Sequence, residues 1–209
     1  MKHPAKFSNE ILVLIAAFLP PQKWPRVLDP FAGTGKIHRI PNETWGVEIE
    51  PEWATMDPKT VVGNALVLPF RNSSFDAIAT SPCYGNRMAD HHEARDGSTR
   101  NTYRHTLGRK LHESNSGAMQ WGDEYREFHR QAWGEAVRCL RQGGRFVLNI
   151  KNHIRGGKVQ QVAEWHDLVL STMLQPKDKI AVAAPGLRHG ANSTLRVDHE
   201  WVYVYENTL

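Results

Sequence analysis

Residues 26–35 read Arg-Val-Leu-Asp-Pro-Phe-Ala-Gly-Thr-Gly, a short apolar strand that ends on an acid and breaks at once into a turn carrying two glycines. In an open sheet of parallel strands, ligands bind outside the carboxyl ends of the strands, where glycines let the backbone approach them closely. The acid at the strand tip narrows the ligand. A carboxylate at Asp29 repels a phosphate but accepts a hydrogen bond from an ammonium group, so the turn suits a zwitterionic amino-acid moiety better than a nucleotide phosphate. A bare Gly-x-Gly turn also serves as an ordinary strand-to-helix connection, so the segments around it carry the decision.

Those segments alternate short apolar runs with helical periodicity, the pattern of an α/β fold whose mostly parallel sheet is covered by helices on both faces. Seven strands are expected, at residues 26–28, 44–49, 60–62, 75–79, 145–150, 180–184 and 200–205. Ser8 can cap a first helix over 9–19, which Pro20 and Pro21 end. Only residues 34–40 are free for a helix after the first strand, one or two turns at most, before Pro41 intervenes. Tyr125, Phe128, Ala132, Trp133, Ala136, Val137 and Leu140 recur at steps of three and four, which marks the apolar face of a helix over 123–140 stopped by Gly143 and Gly144. A further amphipathic helix is expected over 159–173.

A chain of 209 residues is long enough for one domain, 1–209, to bury a core without disulfide or metal staples, and its 40% hydrophobic and 23% charged shares are ordinary globular values. The longest apolar run, 11–19, is too short to span a bilayer and has no cleavage site behind it, so a cytoplasmic protein without membrane contact is expected. Cys83 and Cys139 give neither a disulfide framework nor a metal spacing. Adjacent His91 and His92 lack further ligands at suitable spacing, so no metal is expected.

Two more strand tips carry polar groups. Trp45-Gly-Val-Glu48 ends on a carboxylate roughly twenty residues after the first tip, the place from which an acid can take both hydroxyls of a ribose, unless it is simply a solvated strand-end acid. The third strand runs into Gly63-Asn64-Ala65, where the Asn64 amide can donate and accept as an adenine edge requires, although asparagine is also a common turn residue.

The segments DPFAGTG, GVEIEP, GNALVLPF and TSPCYGNR, in that order, resemble successive motifs of the class I S-adenosylmethionine-dependent methyltransferases, specifically those that methylate exocyclic amino groups of nucleic-acid bases. Residues 2–8 with the apolar helix behind them are similar to the segment preceding the cofactor loop in bacterial and phage DNA amino-methyltransferases. The resemblance implies a Rossmann-like fold with a seven-stranded, mostly parallel sheet, and S-adenosyl-L-methionine as cofactor. Asp29, Gly33 and Gly35 would border its methionine end, Glu48 its ribose, and Asn64 with Ala65 its adenine. Phe7, Pro30, Phe31, Ala32 and Ile49 would complete the same pocket. The family commonly carries aspartate where this chain has Asn64 and proline where it has Cys83.

In this reading Ser81, Pro82, Cys83 and Tyr84 form the catalytic tip of the fourth strand. An amino nitrogen on a base is a poor nucleophile because its lone pair is delocalised into the ring. Acceptors beside its hydrogens, here the Ser81 hydroxyl or carbonyl and the Pro82 carbonyl, favour a pyramidal nitrogen aimed at the methyl group. Pro82 stiffens that backbone, and Tyr84 would stack on a base rotated out of its helix. Serine at the start of this motif is more usual in cytosine-N4 enzymes of the family, which favours cytosine over adenine-N6. The Pro82-Cys83 pair also resembles the nucleophile of carbon-5 cytosine methyltransferases, but their glutamate-asparagine-valine element has no counterpart near Val147-Leu-Asn149. Cys83 is otherwise a small packed residue.

Residues 85–122 exceed an ordinary connection and are expected to be a substrate-recognition insertion that orders at least in part around substrate. Arg87, Arg100 and Arg104 within it, with Arg95, Arg109 and Lys110, suit phosphate contacts, although a solvated loop would have the same composition. Lys151 after the fifth strand and Arg188 between the last two would rim the same cleft. The net charge of +4 is compatible with DNA as partner, RNA being the alternative, for a monomer or homodimer in the cytoplasm of a bacterium or phage-infected cell. Three competing readings remain: a carbon-5 or RNA methyltransferase, an enzyme methylating a small molecule or protein amide, and a noncatalytic cofactor-binding subunit.

Overall fold

A computed structural model describes residues 7–85, 102–184 and 197–208. Its main sheet contains β1 (Arg26–Asp29), β2 (Glu43–Glu48), β3 (Thr60–Val62), β4 (Phe75–Thr80), β5 (Leu140–Ile150), β8 (Gln175–Ala183) and β9 (His199–Glu206); β6 (His153–Arg155) and β7 (Lys158–Gln160) form a separate hairpin. The helices are α1 (Asn9–Phe18), α2 (Pro51–Ala54), α3 (Tyr103–Leu107), α4 (Asp123–Cys139) and α5 (Val162–Ser171). The seven strands lie in the order β3-β2-β1-β4-β5-β9-β8, and β9 alone runs against both of its neighbours. This is the seven-stranded, mostly parallel α/β sheet expected from the sequence.

Alternation along the strands builds two cores, because successive strand residues face opposite sides. Val27, Ala77, Ala79, Val147, Val202 and Val204 pack against Ile11 and Ile15 of α1. Leu28, Ile78, Phe146, Leu148, Tyr203 and Tyr205 pack on the other face, against Trp133 and Ala136 of α4 and Val169 and Leu170 of α5. Each large apolar side chain fully buried in this way contributes about 1.5–3 kcal/mol. Ser8 caps α1 as expected, its Oγ accepting the amide of Ile11 at 3.1 Å.

The chain departs from expectation at three places. α4 ends at Cys139 and β5 begins at once at Leu140, with Gly143 and Gly144 inside the strand rather than after the helix. Gly143 takes φ +68° where the β4–β5 pairing jumps from Phe75–Leu140 to Ala77–Arg145, and a Cβ on Gly144 would stand 2.9 Å from the Asp76 carbonyl oxygen. The glycines thus make a bulge. α5 begins at Val162 instead of 159, because Gly156 and Gly157, both at positive φ, turn the β6–β7 hairpin just before it. β8 starts five residues early, at Gln175, since Lys177, Asp178 and Lys179 sit exposed on an edge strand and leave no apolar alternation to read. Among the described residues no helix is long and apolar enough to cross a membrane, and no group of side chains could hold a metal ion.

Candidate active site

The connections leave β1 and β4, which are neighbours, toward opposite sides of the sheet, and a crevice opens where the strand order reverses. A cavity of about 330 Å³ lies there, within the ~300–1,000 Å³ range of small-molecule sites. Phe7, Pro30, Phe31, Ala32 and Gly33 line it, as do Glu48, Ile49, Asn64 and Ala65 from the next two strand tips. All four residues of Ser81-Pro82-Cys83-Tyr84 line it too.

Asp29 and Gly35 are not on the wall. Asp29 braces the loop from behind: its Oδ1 accepts the Phe31 amide at 3.0 Å and the Thr80 hydroxyl at 2.6 Å, while Oδ2 is buried without a partner. Burial pushes its carboxyl up to about 7. Gly35 supplies a turn at φ +74° and close packing, since a Cβ there would lie 2.7 Å from His38 and 2.8 Å from Asp57. Gly46, unremarked in the sequence, gives β2 room beside the loop: a Cβ on it would meet that of Ala32 at 2.6 Å.

Glu48 ties the first two strand tips together. Its Oε2 accepts the Gly33 amide at 3.0 Å and its Oε1 the Glu50 amide at 2.9 Å, and burial, with the Glu50 charge adding, pushes the carboxyl up to about 7. Each oxygen keeps a second lone pair for a ligand hydroxyl. The Asn64 side chain makes a turn, its Oδ1 accepting the Leu66 amide at 2.9 Å, which leaves its NH₂ for a ligand.

Half of the long insertion is a lid on this cavity. Tyr103, Ser114, Asn115 and Ser116 join its lining. The latch is Glu50, whose side chain is fully buried: Oε1 accepts the His112 amide and Asn115 Nδ2, each at 2.8 Å, and Oε2 accepts Arg109 Nη2 at 2.7 Å. Arg109 also pairs with Glu52, its Nε 2.8 Å from Oε1. Tyr103 packs edge-on against Trp53 with ring centroids 5.3 Å apart. Arg109, one of the suggested phosphate contacts, is therefore occupied by carboxylates. Nothing local in the sequence announces a pair 59 positions apart.

Around the catalytic tip, Ser81 Oγ and Tyr84 Oη lie 3.1 Å apart, and the Tyr103 hydroxyl is 3.5 Å from Cys83 Sγ. Burial pushes the Cys83 thiol up to about 11. The backbone of this tip is held by a relay from the core. Trp133 Nε1 donates to His166 Nδ1 at 2.9 Å, which fixes the imidazole tautomer with its proton on Nε2. That nitrogen then donates to the Tyr125 hydroxyl at 2.9 Å, and the hydroxyl donates to the Cys83 carbonyl at 2.6 Å. Burial keeps His166 neutral by holding its pKa well below the ordinary histidine value. In the sequence Tyr125 and Trp133 stand out only as members of an apolar stripe.

Of the suggested nucleic-acid contacts, Arg104 is exposed on α3, and Lys151 donates to the Ala184 carbonyl at 3.1 Å. Arg87, Arg100 and Arg188 lie outside the described residues.

No protein-family model and no curated protein matches the sequence. Solved structures do match. A Methanosarcina mazei protein described as a SAM-dependent methyltransferase aligns with a TM-score of 0.57 at 13% identity, over 98% of this chain and 100% of that one. A TehB-like SAM-dependent methyltransferase from Corynebacterium glutamicum aligns at TM-score 0.51 and 16% identity, over 94% and 86%. The 1,6-didemethyltoxoflavin-N1-methyltransferase of Burkholderia thailandensis, with 1,6-didemethyltoxoflavin and S-adenosylhomocysteine bound, aligns at 0.51 and 16%, over 94% and 78%. The fold is that of the SAM-dependent methyltransferases. At such identities the likeness carries architecture, and chemistry rests on the residues of the cavity.

Proposed function

We propose that the protein is an S-adenosylmethionine-dependent methyltransferase that modifies an exocyclic amino nitrogen of a nucleic-acid base, DNA first and cytosine-N4 before adenine-N6. The observation that carries this reading is that Pro30 to Gly33 and Ser81 to Tyr84 share one cavity. The residues present fit the cofactor. Glu48 has lone pairs for ribose hydroxyls, the Asn64 NH₂ can donate to an adenine nitrogen, and Asp29 braces from behind the loop that borders them. When bound, the cofactor supplies an electrophilic methyl group.

The chain's own part is positioning. The Ser81 hydroxyl and Pro82 carbonyl accept the amino hydrogens of the base, which localises the nitrogen lone pair. Tyr84 holds the ring. Burial pushes the Cys83 thiol up to about 11, which disfavours the thiolate that carbon-5 chemistry needs and argues for direct transfer.

One observation favours a second reading, a small heteroaromatic amine as acceptor: the lid closes over the cavity, and Arg109 is spent latching it. Incubating the protein with labelled S-adenosylmethionine and unmodified DNA or RNA, followed by nucleoside mass spectrometry, separates them. N4-methylcytosine or N6-methyladenine is expected. Label in no nucleic acid sinks the main reading, and 5-methylcytosine would restore Cys83 as nucleophile.

A further inference from the structure

Because β9 runs against the other strands, its first residues rather than its last reach the rim where the parallel strands end. Trp201 stands opposite Ile150, the final residue of β5, so Glu200 falls just beyond that end. On the other side of β5, Thr80 stands opposite Leu148 and Ser81 follows it. Glu200 accordingly lines the cavity together with Ser81 and Tyr84. It also lines a second cavity of about 380 Å³, bounded by Ser8, Glu10, Lys151 and residues 182–184. One residue borders both spaces. Its charge adds to burial in holding the Tyr84 phenol above its ordinary range.

The carboxylate is fixed on one side only. Oε2 accepts Asn149 Nδ2 at 3.1 Å, and the same amide reaches the Trp201 carbonyl at 3.4 Å. Oε1 has no hydrogen-bond donor among the described residues. A carboxylate with one oxygen held and the other open, beside the acceptor motif, selects a ligand that presents N–H groups, as glutamate does with the cytosine amino group.

We infer that Glu200 binds the methyl acceptor, its Oε1 sharing with the Ser81 hydroxyl one hydrogen of the target amino group and then taking the proton that this nitrogen sheds. The inference rests on amino methylation as proposed above, whether the amine belongs to a base or a smaller ring. The nitrogen lone pair forms the new N–C bond, the pair that held the methyl group stays on sulfur, and the released proton leaves its N–H pair on nitrogen. From Oε1 the proton can pass to solvent through the second cavity.

The test compares the wild-type protein with Glu200→Gln and Glu200→Ala, each given labelled S-adenosylmethionine and offered unmodified DNA, unmodified RNA and a panel of small amino-heteroaromatics. Cofactor Kd is measured separately. Glu200→Gln should keep the cofactor Kd within about twofold and lose about 10²-fold in kcat with little change in KM, the scale of a lost general base. Glu200→Ala should raise KM as well. Unchanged kcat/KM in both variants overturns the inference and leaves the nucleic-acid reading standing. Weakened cofactor binding in Glu200→Gln also overturns it, since Glu200 would then serve the donor. Label confined to a small amine and lost in Glu200→Gln supports the inference while overturning the nucleic-acid reading. Label on no acceptor from the wild-type protein overturns both.

Discussion

Asp29 and Glu48 are acids that the fold holds in a place hostile to their charge, each with its carboxyl pushed up to about 7 by burial. Their folded-state values exceed the unfolded ones, so the folded state binds more protons between roughly pH 4 and 7. The stability they contribute is full below the unfolded value and is lost as pH rises through about 7. The melting temperature of the ligand-free protein should therefore fall between pH 5 and 8. Asp29→Asn, which keeps an acceptor for Phe31 and Thr80 but cannot ionise, should cut that slope by roughly half. Calorimetry across this range checks it, and an unchanged slope would show that Asp29 does not titrate there. At Cys83 the expectation is insensitivity: Cys83→Ala should retain methyl transfer within about tenfold, where a thiolate mechanism would lose it altogether. The acids at the strand tips were legible because a charge ending an apolar run is conspicuous. Glu200 was not, since it stands at the start of its strand rather than at the end, and only the direction of β9 brings it to the rim.

At the scale of elements, the lid over residues 102–119 depends on Glu50, a fully buried acid satisfied almost entirely by that segment. Arg109→Ala should loosen it by about 1–3 kcal/mol, nearer the lower figure because the guanidinium is 39% exposed. Hydrogen exchange should then quicken in the lid amides while the sheet stays protected; unchanged exchange would mean that Asn115 and the His112 amide suffice. The relay through α4 and α5 invites another substitution. Tyr125→Phe removes the hydroxyl between His166 and the Cys83 carbonyl, leaving two buried polar groups unpaired at a cost of about 1–3 kcal/mol each. A fall in kcat larger than the change in cofactor affinity would show that the relay aims the catalytic tip. The helices α4 and α5 could be placed from periodicity, yet the Gly143-Gly144 bulge read as a helix stop, because two glycines mark either a break or a close approach.

For the molecule as a whole, a ligand that binds only the folded form stabilises it by mass action. S-adenosylhomocysteine at a hundred times its Kd should add about 2.7 kcal/mol, which for a chain of this size raises the melting temperature by roughly 5–10 °C. A thermal scan with and without it is enough, and no shift would remove the cofactor from the cavity. The class of sheet was visible in advance, since strand and helix alternated with the right periods. Pairings across long separations were not, because side chains far apart in sequence leave no local pattern.

The sheet's reversed strand lies far along the chain from the loop of glycines and acids, so the cavity is walled by two distant stretches of sequence. Its loop of glycines and acids is complete by residue 85, while Glu200 arrives with β9. On the role proposed for Glu200, variation confined to β9 should change which amine is accepted without disturbing the grip on the methyl donor. In such an architecture, substrate choice and cofactor choice are free to be inherited separately.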